Sequence, residues 1–174
     1  MSASGLELGG ELDFEHIGTL QCAGKLLLCD VEYFDPKFAD MRRGKVELCP
    51  ELELMPGAWQ VLLVREAEGT REPRFVLLAH DDELAEGGEP LAEAEALALM
   101  RIDSGRITAL DAELREDEVI ATALIEAPRE QVPCMLTAPG DEHARGVLLD
   151  VDVGGVFELY AGVAQPRSSL FLAL

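Results

Sequence analysis

Basic residues are scarce in this chain: 14 lysines and arginines stand against 34 acids, a formal charge of −20 over 174 residues. A field of that sign repels phosphate backbones and anionic lipid, which argues against nucleic acid or a membrane surface as a partner; acids dispersed along the chain serve as a solubility surface or, alternatively, as a face that docks on a basic protein. Aromatic residues make up only 5% of the chain, so leucine and valine must carry the packing. The three histidines, His16, His80 and His143, are far apart, and Cys22, Cys29, Cys49 and Cys134 show no CxxC spacing. Neither a zinc site nor a disulfide framework is expected, and no metal or cofactor is assigned. P-loop, GxGxxG, HExxH and GxSxG patterns are all missing, which removes the common nucleotide, zinc-protease and serine-hydrolase chemistries. No apolar run approaches the roughly 20 residues of a membrane-spanning helix. Met1 to Gly10 lacks the basic and apolar blocks of a secretory leader, so a cytoplasmic location with reduced thiols is the expectation.

What is present is a repeated pattern. Gly24-Lys-Leu-Leu-Leu-Cys-Asp30 matches Gly105-Arg-Ile-Thr-Ala-Leu-Asp111: a glycine, a basic residue, a mostly apolar run and an aspartate. Gly57 to Val64 then matches Gly155 to Gly162, and Phe75 to Ala79 matches Leu170 to Leu174, in the same order. The pattern predicts an all-β protein with short helical turns, built of two similar β units from an internal duplication and packed like a sandwich. A chain of this length buries roughly 70% of its unfolded surface, enough for one well-filled domain or two small ones sharing a core. The predicted organisation is a loose arm over 1–15, a first unit over 16–80, an acidic linker over 81–90 and a second unit over 91–174.

Within the first unit, Ile17 to Cys22 and Lys25 to Val31 predict a hairpin turning at Ala23-Gly24. Asp35-Pro36 breaks the strand and can start a helical turn over Lys37 to Arg43. Glu47 to Leu54 alternates acid and leucine, as a strand with one wet face does, with Pro50 at an edge or bend. Trp59 to Arg65 and Phe75 to His80 complete that unit. In the second unit Leu91 to Ile102 has helix-forming composition, but the repeat places Leu97 to Ile102 in a strand. Arg106 to Leu110, Val119 to Ile125, Met135-Leu136, Val147 to Val153, Val156 to Tyr160 and Leu170 to Leu174 are predicted strands, with Asp111 to Asp117 winding briefly. The aspartate-to-glycine interval is longer in the second unit, which predicts an excursion around 127–145.

Five residues are candidates for a ligand or partner site. Asp30 and Asp111 hold equivalent places in the two copies, where they serve equally as turn acids or as carboxylates paired across a pseudo-twofold axis. Asp103, in Asp103-Ser104-Gly105, caps a turn in which glycine supplies positive φ. Tyr33 and Phe34 follow the first repeat and can form a small apolar patch. Ser104 has no base placed near it by the sequence, and no catalytic residue is nominated.

Asp103-Ser104-Gly105 with Asp111, and Gly24 to Asp30 with Met55-Pro56-Gly57-Ala58-Trp59-Gln60-Val61, resemble an uncharacterised family of bacterial β-rich proteins. Its members carry "VDSG", an apolar run and an aspartate, followed by "PGxYxV". This chain departs from the pattern at Trp59 and Phe157, where the family has tyrosine, and at Val31, where proline often follows the aspartate. The resemblance implies a bacterial, cytoplasmic β-sheet protein, some of whose relatives lie near toxin and immunity systems. The expected function is therefore noncatalytic: an interaction protein, of which an immunity-type neutraliser of a basic partner is one form. The alternative is an enzyme or small-ligand binder with carboxylates in the groove between the two units. Exposed strand edges also make a homodimer a candidate assembly.

Overall fold

The computed structural model describes residues 12–38, 41–66, 73–82, 94–163 and 165–174. Most of the linker expected over 81–90 lies outside the described residues. Two antiparallel sheets make the fold, as the alternating apolar pattern requires. The larger has eight strands: β1 (Leu12–Cys22), β6 (Gly57–Glu66), β7 (Phe75–His80), β13 (Ser169–Ala173), β12 (Gly155–Gly162), β8 (Ala94–Ile102), β4 (Val46–Glu47) and β3 (Arg42–Arg43), in that spatial order. The smaller has five: β10 (Cys134–Leu136), β11 (Gly146–Asp150), β9 (Arg106–Asp111), β2 (Lys25–Asp30) and β5 (Glu51–Glu53). Among the described residues only the short β4·β8 pairing is parallel.

The strand order is symmetrical in part, since β4 and β3 beyond β8 and β10 beyond β11 have no counterpart on the other side. From the central β7·β13 pair outward come β6 and β1 on one side and β12 and β8 on the other. The central pair of the smaller sheet is β2·β9, flanked by β5 and β11. Strands from both halves of the chain therefore contribute to both sheets.

Side-chain alternation assigns each strand two burdens. Leu26 and Leu28 of β2, with Ile107 and Ala109 of β9, face the larger sheet and meet Leu20, Trp59, Val61, Leu78, Met100 and Leu170 in the main core. Leu27, Cys29, Leu110 and Leu148 point the other way, into a second core closed by Phe34, Leu114, Ile120 and Leu124. Covered on two faces, β2 reads as a continuous apolar run.

Several local expectations are corrected. β1 and β2 belong to different sheets, so Ala23-Gly24 turns a corner between sheets rather than closing a hairpin. β1 begins at Leu12 and pairs with β6 from there, so residues 12–15 are strand rather than arm. The Glu47 to Leu54 stretch is split: β4 joins the larger sheet, β5 the smaller, and Pro50 lies between them. The turn after Asp35 is a single 3-10 turn over Pro36–Phe38, and Arg42–Arg43 is strand. Ala94 to Ala96, of helix-forming composition, are strand because β12 supplies their hydrogen-bond partners.

The largest correction is Val119 to Ile125, which is α-helical within α1 (Glu118–Glu126). Asp117 caps it, its Oδ1 accepting from Val119 N and Ile120 N at 3.0 Å each. Ile120 and Leu124, four residues apart, enter the second core. The β-branched residues that suggested a strand are overridden by the cap and by this 3.6-residue spacing. The excursion that follows contains a 3-10 turn over Arg129–Gln131 and returns as β10, on the outer edge of the smaller sheet.

Candidate functional site

Asp30 ends β2 fully buried, and its carboxylate is saturated. Oδ1 accepts from Glu32 N at 2.9 Å and Ser104 Oγ at 2.7 Å. Oδ2 accepts from Asp103 N and Ser104 N, both at 2.7 Å. The aspartate ending β2 thus binds the turn between β8 and β9. Asp111 does the converse: Oδ2 accepts from Ala23 N at 2.9 Å, in the turn between β1 and β2, while Oδ1 takes Glu113 N at 3.0 Å. Arg145 adds an ion pair, with Nη2 3.0 Å from Asp111 Oδ2, and also reaches Glu113.

The two aspartates do not face each other. In the β2·β9 register Asp111 lies opposite Leu26 and Asp30 opposite Ile107. Four residues of strand separate them, roughly 13 Å. They cannot share a proton as paired catalytic acids do.

Asp103 lies at the far side of the Ser104 turn, where Arg101 Nε is 3.0 Å from both carboxylate oxygens and the Tyr33 hydroxyl donates to Oδ2. That hydrogen bond, reinforced by burial, pushes the Tyr33 phenol above its ordinary range. Tyr33 and Phe34 are both buried, so the apolar patch expected of them is turned inward. Ser104 Oγ bonds Asp30 and Arg106, whereas His80 bonds the Pro56 carbonyl and Asp82 N. No nucleophile and base are assembled from them.

A cleft of about 620 Å³ opens at the Asp111 end of the β2·β9 pair. Lys25, Glu53, Asp111, Glu113, Gln165 and Pro166 line it. Of the five residues singled out from sequence, only Asp111 reaches this cleft, and its carboxylate is already occupied by Ala23, Glu113 and Arg145. Among the described residues no three histidine, cysteine or acidic side chains gather as a metal would require.

The surface feature that sequence reading missed is the outer face of α1. Val119 is 55% exposed and Ile125 79%, the largest exposure among the exposed bulky apolar residues. Thr122 lies between them, and Glu116, Glu118, Glu126 and Glu130 are exposed around them. The signal was available: Glu116-Asp117-Glu118 before an apolar segment is a helix N-terminus, where acids favour the helix dipole.

The four cysteines are free thiols, three of them buried. Cys22 belongs to the main core and Cys29 to the second, on opposite faces of the smaller sheet, so they do not pair. Cys29 instead meets Cys49, whose Sγ is 3.6 Å from Arg115 Nη2. No family model, curated protein or solved structure matches this chain.

Proposed function

We propose that this chain is a noncatalytic binding protein that receives a basic partner on the outer face of α1. The exposure of Ile125, on a helix face ringed by acids, carries the reading. An exposed apolar side chain costs solubility unless something covers it, and acids around it select a partner with lysine or arginine at its rim. Ile120 and Leu124 already anchor the helix, so Val119 and Ile125 are free of any duty to the core. Masking a basic functional surface, as an immunity-type neutraliser does, is the corresponding mode of action, and a bacterial cytoplasm the corresponding setting. Descent from a duplicated unit belongs to the same proposal, and the partial symmetry of the strand order about β7·β13 and β2·β9 supports it. On that view α1 and its flanking turns are an addition to the second copy.

The test is capture from bacterial lysate at low salt, with a salt step for elution. The native chain should retain a basic protein that leaves with salt. Val119→Ser with Ile125→Ser should abolish retention, as should Glu118→Lys with Glu126→Lys. Asp13→Lys, on the edge strand β1, should leave it intact. Retention indifferent to the α1 variants would overturn the proposal, as would no retention at all.

A second reading rests on the cleft between the units. Its volume suits a small molecule, and Glu53 and Glu113 on its walls favour a cationic one. Calorimetric titration with an alkyl diamine distinguishes the readings: heat that disappears in Glu53→Gln supports the cleft, and its absence removes this alternative.

A further inference from the structure

Cys29 and Cys49 lie where the β2·β5 ladder runs out. The register pairs Lys25 with Glu53, Leu26 with Leu52 and Leu27 with Glu51. Leu28 N continues it with a 3.2 Å bond to the Pro50 carbonyl. Proline returns no N–H, so that step has one bond instead of two. The next residues along the two segments are Cys29 and Cys49. Cys49 lies in the bend before β5, and continuing the alternation of bonded and non-bonded pairs by one step would set it against Cys29 at a non-bonded position, where Cα atoms of a regular ladder approach to about 4.5 Å. This spacing lies inside the range that a disulfide spans.

The surroundings distinguish the two thiols. Arg115 Nη2 is 3.6 Å from Cys49 Sγ, Arg115 Nη1 is 3.4 Å from Glu51, and Arg115 Nε is buried without an acceptor among the described residues. The guanidinium therefore supplies its charge to the sulfur. The Cys29 thiol hydrogen bond, aided by Arg115 and opposed by burial, lowers Cys49 to about 7, whereas Cys29 is raised well above the ordinary thiol range. One sulfur is poised as thiolate and its neighbour remains a thiol, the division of labour between an attacking and a resolving cysteine.

We propose that Cys29 and Cys49 are a peroxide-oxidisable pair, with Cys49 the attacking sulfur, Cys29 the resolving one and Arg115 the positioning residue. Cys49 Sγ attacks one oxygen of hydrogen peroxide; the O–O bond breaks, and the departing hydroxide takes up a proton as water. The resulting Cys49 sulfenic acid is attacked by Cys29 Sγ, which forms the S–S bond. The displaced hydroxide takes the Cys29 proton as a second water. The two sulfurs together lose two electrons and the peroxide oxygens gain two. Both sulfurs are buried, and access runs through opening of β5, a three-residue edge strand. The bond would tie the centre of the smaller sheet to the segment connecting it to β4.

Cys134 provides an internal comparison, because it is the most exposed of the four thiols yet burial raises its pKa. The native full chain is treated with hydrogen peroxide, quenched, blocked with an alkylating agent and mapped under non-reducing conditions. The expected result is loss of two of the four thiols, a crosslink joining the Cys29 and Cys49 peptides, and reversal by dithiothreitol. At pH 7, modification of Cys49 should run about tenfold faster than that of Cys134. Arg115→Leu should slow Cys49 by about tenfold, with partial recovery in Arg115→Lys. A bond between other cysteines, Cys49 sulfinic acid with Cys29 still reduced, or Cys134 reacting first would overturn the proposal. Unchanged Cys49 kinetics in a folded Arg115→Leu chain would remove Arg115 from it.

Discussion

Ser104 is held to Asp30 twice, by its N–H to Oδ2 and by its hydroxyl to Oδ1, each at 2.7 Å. Asp111 answers from the other end of the β2·β9 pair by accepting Ala23 N at 2.9 Å. The aspartate ending β2 thus fastens the corner between β8 and β9, and the one ending β9 fastens the corner between β1 and β2. Carboxylate acceptors make stronger bonds than neutral ones, and a carboxylate buried as these two are needs such donors to offset its loss of water.

Asp30→Ala should cost about 3 kcal/mol, because it takes the acceptor from three part-buried backbone N–H groups, those of Glu32, Asp103 and Ser104, and leaves the Ser104 hydroxyl with Arg106 alone. Asp111→Ala should cost about 3 kcal/mol, since Arg145 retains Glu113. Urea unfolding with an unchanged slope measures both. A loss of less than about 1 kcal/mol in Asp30→Ala would contradict the fastening role.

The two tyrosines give a pH test. Hydrogen bonding to Asp103 raises the Tyr33 phenol, and hydrogen bonding to Glu158 raises that of Tyr160. A raised folded value means that this stabilisation is fully present below the unfolded tyrosine value of about 10 and is lost as pH climbs through the folded one. Tyrosinate absorbance should therefore show both residues ionising above about 10 in the native chain. Asp103→Asn should bring one transition down and Glu158→Gln the other.

Gly57 holds φ +130°, and a Cβ there would lie 2.6 Å from His80 Nε2. That nitrogen is 3.0 Å from the Pro56 carbonyl and its ring packs edge-on against Trp59, so it has little room to move. Gly57→Ala should cost about 2–3 kcal/mol. Gly44→Ala, at φ +67° with nothing within 4 Å, should cost only about 1 kcal/mol. Thermal unfolding of the pair separates crowding from backbone strain.

On α1, Ile120→Ala should cost about 2–4 kcal/mol and Asp117→Ala about 1 kcal/mol, by loss of core packing and of the cap. Ile125→Ala should change stability by no more than about 0.5 kcal/mol. A large loss at Ile125, read by denaturant unfolding, would mean that the residue serves the fold rather than a partner.

The chain's own order fixed much of this. The alternation and the glycine-apolar-aspartate repeats were enough to predict strands at β2, β6, β7, β9, β12 and β13, because a strand covered on both faces must be apolar throughout. Asp30 and Asp111 were recognisable as a related pair for the same reason. Their geometry was not, since it depends on β2 and β9 running antiparallel and thus setting the two acids at opposite ends. Val119 to Ile125 were misread because periodicity over seven residues is weak, and the choice of helix is made by the Asp117 cap and by the socket for Ile120 and Leu124. The meeting of Cys29, Cys49 and Arg115 joins three distant segments through register and a proline, none of it visible locally. Sequence determined which residues had to be buried; only the tertiary structure decided which face buried them and what they met there, because that choice belongs to strand pairing over long separations.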